Sequence, residues 1–111
     1  MEPWIGVDLD STLAYHEHSQ GIESIGEPIP AMMKRVEEWL RRGIAVKIVT
    51  ARAAIPGQES LIHTWLEKHG LPKLIVTNAK NFNMIELWDD RCVAVKRNTG
   101  NILGTRRSHG T

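Results

Sequence analysis

Four acidic residues stand where short apolar runs end. Asp8 and Asp10 follow Trp4-Ile5-Gly6-Val7, and the adjacent pair Asp89 and Asp90 follows Ile85-Glu86-Leu87-Trp88. An apolar run that stops abruptly at polar residues reads as a buried strand ending at a polar site. Thr50 and Arg52 close a further run, Ala45-Val46-Lys47-Ile48-Val49, in the same way. Ligands of open α/β sheets bind beyond the carboxyl ends of the strands, so these residues are expected to meet on one rim. Clustered carboxylates repel one another unless a cation lies among them, and a set of hard oxygen donors suits Mg²⁺. That ion takes one or two carboxylates together with waters and phosphate oxygens, which makes phosphoryl transfer the leading chemistry.

The elements that must position these residues alternate along the chain. After the first strand at residues 4–7, residues 15–30 are polar and irregular, with Gly21, Gly26, Pro28 and Pro30, and read as a flap. Met32, Val36, Trp39 and Leu40 fall on one helical face, with Pro30 suited to the helix start and Gly43 to the position past its end. A second strand at 45–49 leads to a second helical face, Leu61, Ile62, Trp65 and Leu66, closed by Gly70 and Pro72. Residues 74–77, 85–88 and 92–95 supply three more apolar runs, and the tail after Gly100 is expected to be largely unstructured. This alternation predicts an α/β fold of the Rossmann type, a three-layer sandwich around a mostly parallel five-stranded sheet.

A length of 111 residues accommodates one core rather than two, so residues 1–111 are expected to form a single domain. With 41% hydrophobic and 24% charged residues the composition is that of a soluble globular chain, which argues against disorder and against a membrane partner. The net charge is +1 and the basic residues are dispersed apart from Arg106 and Arg107, so no electrostatic footprint for nucleic acid stands out. Cys92 is the single cysteine and cannot form an internal disulfide, and the N-terminus lacks the basic and long apolar regions of a signal peptide. The cytoplasm is the expected compartment.

Val7-Asp8-Leu9-Asp10-Ser11-Thr12 resembles the Asp-x-Asp-x-Thr motif that follows the first strand of the haloacid dehalogenase-like phosphatase superfamily. The order of that family's motifs continues with Thr50, Lys80 and Asp89-Asp90, so the resemblance covers most of the chain. It implies that Asp8 attacks phosphorus to form an aspartyl-phosphate and that Asp10 protonates the leaving group and then activates water. It further implies that Thr50 and Lys80 bind the transferring phosphoryl group, and that Asp89 and Asp90 help hold Mg²⁺ beside Asp8 and the Asp10 backbone carbonyl. The implied strand order is 5-4-1-2-3. Only eight residues separate Lys80 from Asp89, which leaves no space for the helix that larger members carry there. If Lys80 is tied to the lower end of the fourth strand, Arg52 is the cation expected to meet the substrate instead. No room exists for a cap domain, so water exclusion falls to the flap, to a neighbouring subunit of a homo-oligomer or to a large substrate. A phosphorylated small molecule and a phosphorylated polynucleotide end both fit these expectations.

Other residues carry weaker signals. His16 and His18 form a His-x-His pair, but histidines in a flap are more often solvated than metal-bound, and a gating role suits that segment better. The four tryptophans sit at helical-face or strand positions and suit core or subunit packing. Arg91 follows two aspartates and is expected to balance their charge. A receiver-like phospho-acceptor domain would also combine an acidic pocket with Thr and Lys, yet receivers place the acceptor Asp after a middle strand. A Mg²⁺-dependent nuclease would share the carboxylates but fits Thr50 and the Asp-x-Asp motif less well. Binding of a phosphorylated partner without turnover has no support from a missing catalytic group.

Overall fold

A computed structural model of the chain describes residues 2–17 and 19–104. His18, Arg106 and Arg107 lie outside the described residues. Helix α1 (Pro30–Arg41) opens on Pro30, whose fixed φ and missing N–H suit the first helical turn, and buries Met32, Met33 and Val36 on one face. It ends at a glycine. The Gly43 N–H bonds the Leu40 carbonyl at 3.0 Å and the Ile44 N–H bonds the Trp39 carbonyl at 2.9 Å. Helix α2 (Gln58–Lys68) ends the same way, with Gly70 bonded to Glu67 at 3.1 Å and Leu71 to Leu66 at 2.9 Å. This closure needs a left-handed residue, and Gly43 and Gly70 have φ of 79° and 82°.

Strands β1 (Trp4–Val7), β2 (Ala45–Val49), β3 (Ile75–Thr77) and β4 (Met84–Trp88) form a parallel sheet in the order β3-β2-β1-β4. The fold is α/β and broadly Rossmann-like. Its central strand, β1, is buried along its whole length. Ile5 and Val7 stand opposite Val46 and Ile48, and these four share one core with Met32, Met33 and Val36 of α1 and Ile62, Trp65 and Leu66 of α2. Because strand side chains alternate between faces, both helices therefore cover the same side of the sheet. The expected three-layer sandwich is corrected to two layers. The chain steps from β1 to β2 to β3 in one direction, and crossovers of one hand in one direction must lie on one face.

The opposite face carries Trp4 and Gly6. The Trp4 ring lies across Gly6, where an added Cβ would sit 3.2 Å from the ring and 2.9 Å from Val49 Cγ2. The Lys47 ammonium stands 4.4 Å from the Trp4 ring centroid, and the indole N–H donates to Asn81 Oδ1 at 3.0 Å. Asn81 belongs to residues 78–83, which cross this face from the top of β3 to the bottom of β4. The connection is too short for a helix and is built from turns, with the Ala79 N–H bonded to Thr77 Oγ1 at 3.0 Å and the Met84 N–H bonded to the Asn81 carbonyl at 3.1 Å.

The expected fifth strand is absent from the sheet formed by the described residues. Cys92, Val93 and Ala94 are exposed, and Val95 bridges Ile102 in a short antiparallel pair closed through Asn98 and Gly100. The Lys96 N–H bonds the Asn101 carbonyl at 2.7 Å and the Leu103 N–H bonds the Ala94 carbonyl at 2.8 Å. Only three residues separate Trp88 from Cys92, whereas another parallel strand would have to restart at the bottom of the sheet after about a dozen residues. A local hairpin is what remains available to this apolar run. The same pairing orders the start of the tail as far as Leu103, and residues 105–111 lie outside the described residues.

Candidate functional site

Beyond Val7 the chain turns on itself. The Leu9 carbonyl accepts N–H bonds from Thr12, Leu13 and Ala14, and Ser11 adopts a left-handed φ of 70°, uncommon for a residue with a side chain. Leu9 and Leu13 are fully buried, so the intervening backbone sends Asp8 and Asp10 to the rim. There they line a cleft of about 670 Å³ together with Thr50, Arg52 and Asp89. Ser11, His16, Asn78 and Arg91 add polar groups, and Ile22, Val49, Ala51, Ala54 and Ile55 supply an apolar wall. The volume falls within the range of small-molecule sites.

Two carboxylate groupings face this cleft. In the first, Asp8, Asp89 and Asp90 place one oxygen each within 4.8 Å of the others. Thr12 stitches them together. Its Oγ1 lies 3.3 Å from Asp8 Oδ2 and 3.3 Å from Asp90 Oδ1, and accepts the Asp90 N–H at 3.1 Å. Burial, followed by the charges of Asp89 and Asp90, pushes the Asp8 carboxyl up to about 7. Three hard oxygen donors at this spacing, one of them disfavoured as a bare anion, could hold a metal ion.

In the second grouping Asp10 is clamped by Arg52. Arg52 Nε donates to Asp10 Oδ2 at 2.8 Å and Nη2 donates to Asp10 Oδ1 at 2.9 Å, a bidentate pair with the Arg52 side chain only 4% exposed. Arg52 Nη2 also donates to the Ser24 carbonyl at 3.0 Å, while Nη1 donates to the Ile22 carbonyl at 3.0 Å and to Gln58 Oε1 at 2.8 Å. All five guanidinium N–H groups are thereby committed. The expected substrate contact of Arg52 is corrected accordingly: its donors hold the flap, helix α2 and Asp10 together. Gln58 completes the clamp by donating to the Ile22 carbonyl at 2.9 Å, and Trp65 donates to the Gly26 carbonyl at 2.9 Å. The flap is pinned from residue 22 onward. His16 Nδ1 lies 3.5 Å from Asp10 Oδ1 and belongs to the cleft lining, close to a carboxylate.

Thr50 is buried and caps the short turn of helix at Ala51–Ala54, its Oγ1 accepting the Arg52 N–H at 3.1 Å. That leaves its hydroxyl proton for an acceptor in the cleft it lines. Lys80 is the expected site residue that the structure does not bring in. It lies beside a separate depression with Asn81, Phe82 and Met84, the last of which begins β4 at the end remote from Asp89. The connection from β3 to β4 thus sets Lys80 beside this second depression and not among the residues that line the cleft. Arg91, expected to balance the acidic pair, sends only its backbone N–H to Asp89, at 2.7 Å from Oδ1, and its guanidinium makes no ion pair among the described residues.

Thr12 was legible as part of the Asp-x-Asp-x-Thr motif, but its bridging of two carboxylates was not. Gln58 carried no signal, since a glutamine opening a helix is ordinary. No protein-family model matches the chain, and no curated protein does. A solved structure described as a conserved protein coded by a locus from Bacteroides thetaiotaomicron aligns with it at a TM-score of 0.62 and 19% identity, covering 94% of this chain and 84% of that one. At this identity the likeness establishes a shared α/β fold.

Proposed function

We propose that the chain is a Mg²⁺-dependent phosphomonoester hydrolase in which Asp8 is the nucleophile. The observation that carries the reading is the division of labour between the two grouped carboxylates. Asp8 sits among acids that call for a cation, while Asp10, two residues on, is held apart by its own arginine. The motif order shared with the haloacid dehalogenase-like phosphatases points the same way.

In this reading Asp8, Asp89 and Asp90 would hold Mg²⁺, which when bound screens the charge of the phosphoryl oxygens and of Asp8 itself. Asp8 Oδ attacks phosphorus, the phosphorus bond to the leaving oxygen breaks, and an aspartyl-phosphate forms. Asp10, entering protonated on an oxygen that has released its Arg52 bond, gives that proton to the departing oxygen and then takes one from the water that hydrolyses the acyl phosphate, regenerating Asp8. Arg52 keeps the Asp10 carboxylate at a fixed distance from Asp8. Thr50 donates its hydroxyl to a phosphoryl oxygen, and the apolar wall around Ile55 receives the leaving group.

The test is phosphate release from an aryl phosphate and a panel of phosphomonoesters. Release is expected with Mg²⁺ and to vanish with EDTA or with Asp8→Asn, which preserves shape without the nucleophile. Folded protein that releases phosphate equally well as Asp8→Asn would overturn the mechanism.

A further inference from the structure

Three carboxylates and two guanidinium groups line the cleft, and an incoming phosphate monoester is itself an anion. Beside the Mg²⁺ of the phosphohydrolase reading, a side-chain cation is needed on the oxygens turned away from the acids. Arg52 cannot, because each of its five N–H groups already has a protein acceptor at 2.8 to 3.0 Å and the side chain is enclosed. Lys80 stands at a different depression, carried there by the crossing from β3 to β4. Arg91 lines the cleft, follows the acidic pair directly, and has an exposed guanidinium without an ion pair or side-chain hydrogen bond among the described residues. Its backbone is fixed, since the Arg91 N–H bonds Asp89 Oδ1 at 2.7 Å.

Building on the phosphohydrolase reading, we propose that Arg91, rather than Arg52 or Lys80, is the side chain that receives the phosphoryl oxygens of the substrate. A planar fork whose donors have no acceptor among the described residues can take two oxygens of a tetrahedral anion at once, which an ammonium cannot. Its place on the chain adds a physical advantage. The residue after Asp90 enters the cleft from β4, facing Thr50, which enters from β2, so the two donors reach the anion from opposite sides of Asp8. The added positive charge favours a terminal phosphate carrying two negative charges over a phosphodiester, which carries one.

The experiment is a titration of the full chain with orthovanadate in the presence of Mg²⁺, followed by ⁵¹V NMR, on wild type, Arg91→Gln, Arg91→Lys, Lys80→Gln and Asp8→Asn. Loss of a charge-assisted, two-pronged contact is expected to weaken vanadate binding about 10- to 100-fold in Arg91→Gln. Arg91→Lys should recover part of that loss, and Lys80→Gln should lose far less. Because Arg91 is exposed and its guanidinium makes no ion pair or hydrogen bond among the described residues, Arg91→Gln should melt at the wild-type temperature; a lowered midpoint would make it a packing residue and overturn the assignment. Wild-type affinity in Arg91→Gln, or a larger loss in Lys80→Gln, would overturn it too, while Asp8-dependent vanadate binding in the same series would leave the phosphohydrolase reading intact. If wild type binds no vanadate at all, both fall together.

Discussion

Asp8 is the residue at which charge, burial and chemistry meet. Its carboxyl is pushed up to about 7 by burial and by Asp89 and Asp90, whereas an unfolded Asp titrates near about 4. A folded value above the unfolded one means that the folded chain binds the extra proton between these limits. Stability from this group is then full at low pH and lost as pH rises through about 7. The metal-free protein is therefore expected to melt at a falling temperature from pH 5 to pH 8, and Asp8→Asn to flatten that slope. Added Mg²⁺ should raise the midpoint at pH 8 and EDTA should reverse the gain, because a ligand of the folded state alone stabilises it. A melting curve that ignores both pH and Mg²⁺ would remove the physical basis for a cation among these three acids.

At the scale of elements, Arg52 joins parts that the backbone does not. It lies just past β2, yet bonds Asp10 after β1, two carbonyls of the flap and Gln58 at the start of α2. Removing it strands a half-buried carboxylate and two carbonyls. Arg52→Met is expected to cost roughly 2 to 4 kcal/mol, the range for breaking a buried charged network on one side, measured by urea unfolding. The flap should also be cut faster by protease in the variant, near residues 15–24, while wild type resists. Equal stability and equal resistance would show that the flap is held by other means, such as the Trp65 bond to Gly26.

Among the described residues the molecule is a sheet with helices on one side and the connection of residues 78–83 crossing the other. Its C-terminal hairpin stands outside this arrangement, with Val93, Val95, Ile102 and Leu103 all at least 40% exposed. Ending the chain at Val93 is accordingly expected to preserve cooperative unfolding with a midpoint within about 5 °C, since a few degrees correspond to about 1 kcal/mol in a domain of this size. Loss of the cooperative transition would mean that the hairpin contributes to the core.

Much was legible before any coordinates. Trp4–Val7, Ala45–Val49 and both helices follow from apolar period and from glycines where a helix must close, all of them effects of neighbours a few residues apart. The acidic rim followed too, because a strand that ends in aspartate has to deliver it to the sheet edge. What only the tertiary structure decided depends on distance across the fold. Residues 92–95 have the same apolar character as a strand, and only the position of Trp88 at the top of β4 rules out another parallel neighbour. Lys80 lies at a motif-like spacing, and only the path of residues 78–83 across the sheet sets it beside a second depression. Arg52 and Arg91 are equivalent cations in the sequence, each near an acid. One finds five acceptors brought from three elements and the other finds none among the described residues, a difference set by packing and invisible in residue type.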